Sequence, residues 1–489
     1  MKLYKAKDSW IVTTEEHSLW FNRRSLSVYT KPEPISKEIL SDSSAWDASF
    51  VSDIHGYIGQ IQIVKDGFHW LIFIKSQEMV CVIQNGHEIY RVTDILVQPF
   101  DDIDEESIGR ANVTTNNKYE SKCIEELRLW YQETQCFYYS RTYDLTNTIQ
   151  RALDQDETIP LWKRADERFF WNRQMLNEFI KQADKEHFDT RWIQPIIMGY
   201  LDKCHFQVNH DTDAQLILIS RRNRYRAGVR MHCRGIDEDG NVANYVETEQ
   251  ILRIDSNIMS FVMIRGSAPF YWSQPGIRYR PPPKIDRSFN ESHEAFIKHI
   301  DDQLSRTKGN QLVLISLIDE WGKENILNDT FFDHIIKYNS PHVSYITFDF
   351  HEYCKGLQFG NILVLLQLLD EKNIFREMRF FWLVMFCFPV MILNRVNINY
   401  RMNTEKNTVL SDQTSVFRVN CVDCLDRTNV VQAAIAKTIL EIMLKKVGLL
   451  DIDAGGLNDN ARVIFQTMWA DNGDAISRQY AGTDAMKVR

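Results

Sequence analysis

One short segment constrains the fold of this chain more than any other: a β-prone run, a cysteine loop and a helix, in that order, between Val416 and Gly448. Val416, Phe417 and Val419 are β-branched or aromatic and read as a buried strand. From Asn429 onward Val430, Val431, Ile435, Ile439, Ile442, Met443 and Val447 recur at helical spacing. Lys445 and Lys446 fall in the last turn, and Gly448 is a natural stop. Between strand and helix, Cys421 is followed six positions later by Arg427 and then by Thr428. A loop of this length can turn its backbone N–H groups inward at a helix N-terminus, where the dipole favours an anion. The Arg427 guanidinium closes over the same space, so a phosphate there meets N–H donors and a bidentate fork. The same donors lower the pKa of Cys421 toward a nucleophilic thiolate. Thr428 either caps the helix or hydrogen-bonds the sulfur. The segment points to cleavage of a phosphate monoester through a cysteine.

Other residue types in the loop refine that reading. Asp423 and Asp426 are its two carboxylates and the candidates for general acid. Val422, Cys424 and Leu425 supply backbone to the cradle, and Cys424 reads as a packing residue. Cys421 and Cys424 also form a C-x-x-C, which with His351 and Cys354 offers four zinc ligands. Zinc explains neither Arg427 nor the helix start, so neither a metal nor another cofactor is expected.

The chain has 489 residues, 44% hydrophobic and 25% charged, which suits two folded domains. A net charge of −9 excludes a molecule built as a whole to bind nucleic acid, so an anionic substrate must be drawn by a local basic patch. Nine scattered cysteines fit a reducing compartment rather than a disulfide framework. The N-terminus has no apolar signal region, and the run Phe380–Leu393, interrupted by Pro389, is short of the roughly 20 residues a membrane span needs. It reads as buried core.

Residues 1 to 100 are strand-rich, with β-prone runs at Trp10–Thr13, Gly59–Val64, Trp70–Ile74 and Met79–Ile83 separated by polar turns. Asp101 to Lys122 reads as an exposed connection, and helices follow at Ile124–Thr134 and Gln174–Asp184. Strands at Leu216–Ile219, Leu312–Ser316 and Val343–Phe350 then alternate with helices as in an α/β fold. Pro281 to Pro283 mark a stiff loop. If Ser220–Arg230 continues the strand Leu216–Ile219, Arg222, Arg224 and Arg226 share one face, which reads as a solvated face or as a guanidinium cluster for a polyanion, with Lys284 after the three prolines adding to it. Asp349, His351 and Glu352 end a strand, with His351 expected to be structural. Trp469 to Thr483 reads as a polar, turn-rich stretch.

Arg418 to Asn429 resembles the signature of the Sac-domain phosphoinositide phosphatases. Phe137–Asn147, Arg168–Asn172, Arg226–Arg230, Gly240–Gln250, Arg265–Pro269, Trp272–Gln274, Asp349–His351 and Trp469–Thr483 resemble the same family. The opening residues and Ile219–Arg222 are most similar to its endosomal branch, named inositol polyphosphate 5-phosphatase F. The resemblance implies an α+β or α/β architecture, with a β-rich N-terminal Sac subdomain over residues 1–172 and an α/β catalytic subdomain over 173–489. It implies removal of a phosphate, in this branch the 4-phosphate, from phosphoinositide lipids, without metal, at the cytoplasmic face of endocytic membranes. The implied roles are Cys421 as nucleophile, Arg427 on the phosphate and Asp426 as acid, with Asp423 as runner-up; in related myotubularin lipid phosphatases both places are aspartate. The loop has no glycine, unlike tyrosine phosphatases. Met263 replaces a usual glutamine, residues 379–414 depart from the family pattern, and the chain stops at Arg489 where the family continues and this branch adds a dimerisation module. The alternative expectation is a truncated Sac domain that binds phosphoinositides as a scaffold.

Overall fold

The computed structural model describes residues 1–34, 48–65, 67–83, 86–100, 111–183, 188–209, 212–275, 281–307, 311–385, 407–450 and 456–485. The chain groups into two compact units, Met1–Asn147 with Gln155–Met198, and Thr148–Asp154 with Gly199–Arg489.

The first unit is built on two antiparallel sheets. Strands β1 (Lys2–Lys5), β2 (Ser9–Thr13), β3 (Ser18–Asn22), β4 (Ser27–Lys31) and β5 (Ser49–Asp53) pair in the order β4-β3-β2-β1-β5. Strands β6 (Gly56–Gln62), β7 (His69–Ile83), β8 (His87–Pro99) and β9 (Phe137–Tyr139) form the other, which Ile197 and Met198 extend beside β9. Trp10, Phe21, Phe73, Phe100, Phe170 and Phe179 fill one core of this unit. The expected pair of strands at 70–74 and 79–83 is one strand, β7. Its polar middle is not a turn, because register shifts beside Ser76 and Met79 let the strand bend while staying paired. The polar run to Lys122 is likewise not all connection: from Ala111 it belongs to helix α1 (Ala111–Thr134).

The second unit carries a mixed sheet. Strands β10 (Ile197–Asn209), β11 (Thr212–Arg222), β12 (Val246–Ile254) and β13 (Asn257–Arg265) run antiparallel in sequence, and β14 (Trp272–Ser273) pairs with β15 (Lys284–Ile285) as a separate ribbon. Beyond β13 the pairing becomes parallel, through β20 (Ser415–Asn420) and β16 (Gln311–Ser316) to β17 (Val343–Thr347). Strand β18 (Phe381–Val384) pairs with the start of β13 and with β19 (Thr408–Ser411). The apolar run expected as core begins as such, with Phe380 to Val384 buried; residues 386–393 of it lie outside the described residues. Helices α2 (Phe289–Arg306), α3 (Asn325–Tyr338), α4 (Ile362–Glu371), α5 (Asp426–Lys446) and α6 (Asp459–Ala481) are the longer helices of the unit. Helix α5 buries Val431, Ile435, Ile439 and Met443, the stripe legible in the sequence, in the main core of this unit.

Two expectations are corrected by this architecture. Residues 469–481 are not turn-rich but the largely buried C-terminal half of α6, and only Gly482, at φ 76, ends it. Val343–Phe350 is strand only to Thr347, after which Asp349 caps a short helix by accepting from the Glu352 N–H. Among the described residues no helix is long and apolar enough to cross a membrane.

Candidate active site

Because β13, β20, β16 and β17 are parallel, their C-terminal ends share one edge of the sheet. That edge of a parallel sheet is where open α/β folds present loops to ligands. Four segments therefore converge there: Arg265–Gly266, the loop from Cys421 to Leu425, the loop from Leu317 to Glu324, and the turn holding Asp349 and His351.

Cys421 directly follows β20 and is buried. The Cys424 backbone N–H donates to its Sγ at 3.0 Å, and the Cys424 Sγ lies 2.9 Å from Gly266 O and 3.1 Å from Cys421 O. Cys424 takes φ 54, so in a loop without glycine a cysteine supplies the left-handed residue that folds the chain back. Asn244 Nδ2 ties the turn down by donating to Asp423 O at 3.1 Å and Cys424 O at 3.3 Å. Val422 packs beside Phe270 and Trp272, and Leu425 packs beside Val246, Ile476 and Tyr480, so apolar anchors pin the loop on both flanks.

The thiol of Cys421 is drawn from its ordinary 9.0 down to about 6. Hydrogen bonding by the Cys424 thiol is the main cause; burial opposes it, and Arg427 and Thr428 add to it. Burial pushes Cys424 well above its ordinary value, so the neighbouring thiol keeps its proton as a donor. Thr428 Oγ1 is fully buried with no nitrogen or oxygen partner among the described residues, and its action is on the sulfur.

Arg427 sits in an acidic bracket that sequence reasoning did not find. Its Nη1 donates to Leu317 O at 3.2 Å, Asp319 Oδ1 at 3.1 Å and Glu324 Oε2 at 3.0 Å, while Nη2 donates to Glu324 Oε1 at 3.0 Å. Glu324 thus takes the bidentate contact and Asp319 a single one. His351 Nδ1 lies 2.8 Å from both Asp319 oxygens. Burial still raises the Asp319 carboxyl above its ordinary value, outweighing Arg427 and His351. No spacing in the sequence relates Asp319 and Glu324 to Arg427; only parallel pairing of β16 with β20 brings them together.

On the opposite flank, Arg234 pairs with Asp423 and donates from Nη1 to Val422 O at 3.2 Å and from Nη2 to Gln274 Oε1 at 2.6 Å. Arg230 Nη1 lies 3.5 Å from Asp423 Oδ2. Both Asp423 oxygens therefore face guanidinium groups. The expected shared face of Arg222, Arg224 and Arg226 does not form, because β11 ends at Arg222. Arg222 is buried, donating to Gln479 O and to Gly228 O at 2.8 Å; Arg224 stacks on Tyr225. Arg226 Nε donates to the carbonyls of Arg234 and Gly235, at 3.1 and 3.2 Å, so it braces the turn that presents Arg234. Lys284 is exposed on β15, and Asp426 is half-buried as the first residue of α5.

Two further arginines lie fully buried beneath the loop. Arg265 Nη2 donates to Asn429 Oδ1 at 2.9 Å, while its Nε and Nη1 have no partner among the described residues. Burial lowers it to about 10, and Cys424, Cys421 and Asp426 act to keep it charged. Arg418 Nε donates to His299 Nε2 at 3.1 Å, which leaves His299 Nδ1–H to donate to Gly240 O at 2.8 Å. Arg418 Nη2 donates to Ser267 O at 2.8 Å. These guanidinium groups set a positive field below Cys421 that suits a thiolate or a bound anion. Among the described residues no group of three or more His, Cys, Asp or Glu side chains is arranged to hold a metal ion.

A family profile described as SacI homology domain matches residues 55–355. The human phosphatidylinositide phosphatase SAC2 is 34% identical over 557 aligned residues, covering 100% of this chain and 46% of the relative. Phosphatidylinositol-3-phosphatase SAC1-B of Danio rerio is 32% identical over 441 residues, covering 89% of this chain and 68% of its own length. Phosphatidylinositol-3-phosphatase SAC1 of Saccharomyces cerevisiae is 34% identical over 417 residues, covering 83% and 61%. The chain spans about half the length of the SAC2 relatives it matches.

Proposed function

Because the chain belongs to the SacI homology domain family, we propose that it removes a phosphate from membrane phosphatidylinositol phosphates through a phosphocysteine on Cys421. The observation that carries the reading is a buried cysteine at a strand-to-helix junction, drawn toward its thiolate at about 6, with Arg427 six residues on. The Cys421 thiolate attacks phosphorus, forming an S–P bond as the P–O bond to the inositol breaks. Arg427 and the backbone of residues 422–427 stabilise the equatorial oxygens. The leaving alkoxide takes a proton from a carboxyl group. Water then attacks phosphorus, gives its proton to the same carboxylate, and releases inorganic phosphate and the thiolate.

Two carboxyl groups compete for the proton. Asp426 is the one the sequence favours. Asp319 has the stronger physical case, since burial raises its pKa, it touches Arg427, and the exposed His351 beside it can restore the proton from solvent. Asp423, faced by Arg234 and Arg230, is assigned to holding the loop and its cations in place. Val422, Cys424 and Leu425 line the cradle by backbone, with Arg226 and Lys284 at the headgroup side.

The names of the SAC1 relatives specify the 3-phosphate and those of SAC2 specify no position; the 4-phosphate is the position we assign, with the inositol polyphosphate 5-phosphatase F branch and an endocytic, cytoplasm-facing membrane as the setting. Phosphate release from a panel of short-chain phosphoinositides tests the reading, with Cys421→Ser as blank. Release from the 4-phosphate, abolished in Cys421→Ser, is expected; release only from the 3-phosphate overturns the regiospecificity. Release that survives in Cys421→Ser overturns the mechanism. A folded chain that binds phosphoinositide without releasing phosphate from any of them turns the assignment to a lipid-binding scaffold.

A further inference from the structure

Two loops flank the cysteine loop, and each ends in a large apolar side chain held out in solvent. The first runs from Leu317 to Glu324 and touches Arg427 at its base. That base is fixed: Leu317 N–H donates to Asn420 O at 2.8 Å, Asp319 N–H to Glu324 Oε2 at 3.2 Å, and Glu320 N–H to Asp349 Oδ2 at 3.3 Å. Its tip is Trp321, 81% exposed, followed by Gly322 at φ 81, where an added Cβ would meet nothing within 4 Å, and by exposed Lys323. The second loop touches Asp423 through Arg230 and Arg234. It too is anchored, by Arg230 N–H donating to Tyr480 O at 2.8 Å and Cys233 N–H to Val229 O at 3.0 Å. Its tip carries Met231, 75% exposed, with Val229 and Arg230 exposed beside it.

Single exposed apolar residues are common on protein surfaces and need no explanation. This pair differs in three ways: both tips stand on rigid bases, one base contacts the cysteine loop and the other the Asn420 and Arg427 that bracket it, and each tip places a cation next to the apolar group. Tryptophan with a neighbouring lysine or arginine is the chemistry that settles at a lipid headgroup boundary, ring below and charge at the phosphates. A protein partner would need a continuous apolar patch, whereas two separate apolar points on either side of a phosphate site suit a deformable lipid surface.

We propose that Trp321 and Met231 are the lips by which this protein seats on an anionic lipid surface, entering the headgroup boundary on either side of the cysteine loop, with Lys323 and Arg230 at the phosphate level. The inference rests on the lipid-substrate reading for its catalytic consequence but not for the binding itself. Neither side chain enters the chemistry, so the lips act on access to lipid in a bilayer and not on a headgroup already in solution.

The test uses the full chain, its Trp321→Ser/Met231→Ser double variant and Trp321→Phe. Flotation with phosphatidylcholine vesicles containing phosphatidylserine reads binding. Phosphate release is read from the same phosphoinositide in those vesicles and as a short-chain monomer below its micelle concentration. The double variant is expected to lose about tenfold in vesicle binding and in vesicle turnover, as fits removal of two interfacial anchors. Its monomer turnover stays within about twofold, and Trp321→Phe keeps most of the binding. Unchanged vesicle binding in the double variant overturns the proposal, as does an equal fall on monomer and vesicle, which would place the side chains in the pocket. If the parent chain releases no phosphate from either form yet binds vesicles through Trp321 and Met231, the lips stand and the catalytic reading falls.

Discussion

At φ 54, Cys424 spends conformational strain on a turn that glycine would make freely, which asks what its side chain returns. The return is a thiol proton beside Cys421, the main influence drawing that residue to about 6. The folded-state pKa lies below the ordinary thiol value, so thiolate is present above about 6 and lost as pH falls through it. Cys424→Ala, strained equally at φ > 0 but with no donor, should shift the alkylation midpoint of Cys421 by iodoacetamide upward, with activity lost at pH 6 and recovered at higher pH. Cys424→Ser keeps a donor and should stay nearer the parent. Three equal midpoints would remove Cys424 from the role. The proton donor is separable in the same way. A general acid works only while protonated, so its loss removes the alkaline fall of kcat/KM and costs about 10²–10⁴-fold at the optimum. Asp319→Asn should show both effects; if Asp426→Asn shows them instead, the sequence-based choice is the right one.

Among the elements, β20 and α5 were legible because period and punctuation agreed: an apolar run ending at Cys421, then a helical stripe closed by Lys445, Lys446 and Gly448. Helix α6 was not, because Asp471, Asn472, Gly473 and Asp474 together carry turn chemistry. The fold uses Gly473 differently. A Cβ there would meet Asn429 Nδ2 at 2.7 Å, and Asn429 is fixed by Arg265, Trp469 O and Asn472, so glycine marks helix-to-helix contact beneath the cysteine loop. Tertiary packing, invisible to local pattern, overrode the turn signal. Helices α2 and α3 carry another such contact, in which His293 Nδ1 lies 3.2 Å from His334 Nδ1 in a stack with Phe289 and Phe296. His334 is fully buried, and burial with His293 and Lys337 lowers it to about 4. A histidine whose folded pKa lies below its ordinary 6.5 stabilises the fold above that value and loses the contribution as pH falls from 6.5 toward 4. The loss amounts to roughly 3 kcal/mol. Denaturant midpoints should fall over that window, and His334→Phe should flatten the fall; a parallel fall in the variant would assign it to other groups.

For the whole molecule the sequence offers a charge of −9, whereas the site gathers Arg234, Arg265, Arg418 and Arg427 around one loop, two of them paired with Asp423, Asp319 and Glu324. Which of the two a lipid surface feels depends on distance. At about 0.01 M salt the screening length is about 30 Å, so the field of an anionic vesicle acts on much of the chain and repels its net charge. Near 0.15 M it shrinks to about 8 Å, and only groups at the contact, such as Arg230 and Lys323, remain in reach. Toward 1 M it is about 3 Å, and those contacts weaken in turn. Turnover on anionic vesicles should therefore rise between the first two conditions and fall toward the third. Turnover of a short-chain monomer, which carries far less charge than a vesicle surface, should vary less over the same range. Initial rates across that salt range check the point: a vesicle rate that declines from the lowest salt onward would show that the local cations outweigh the net charge at every distance, and the −9 would then have no bearing on how the protein meets a membrane.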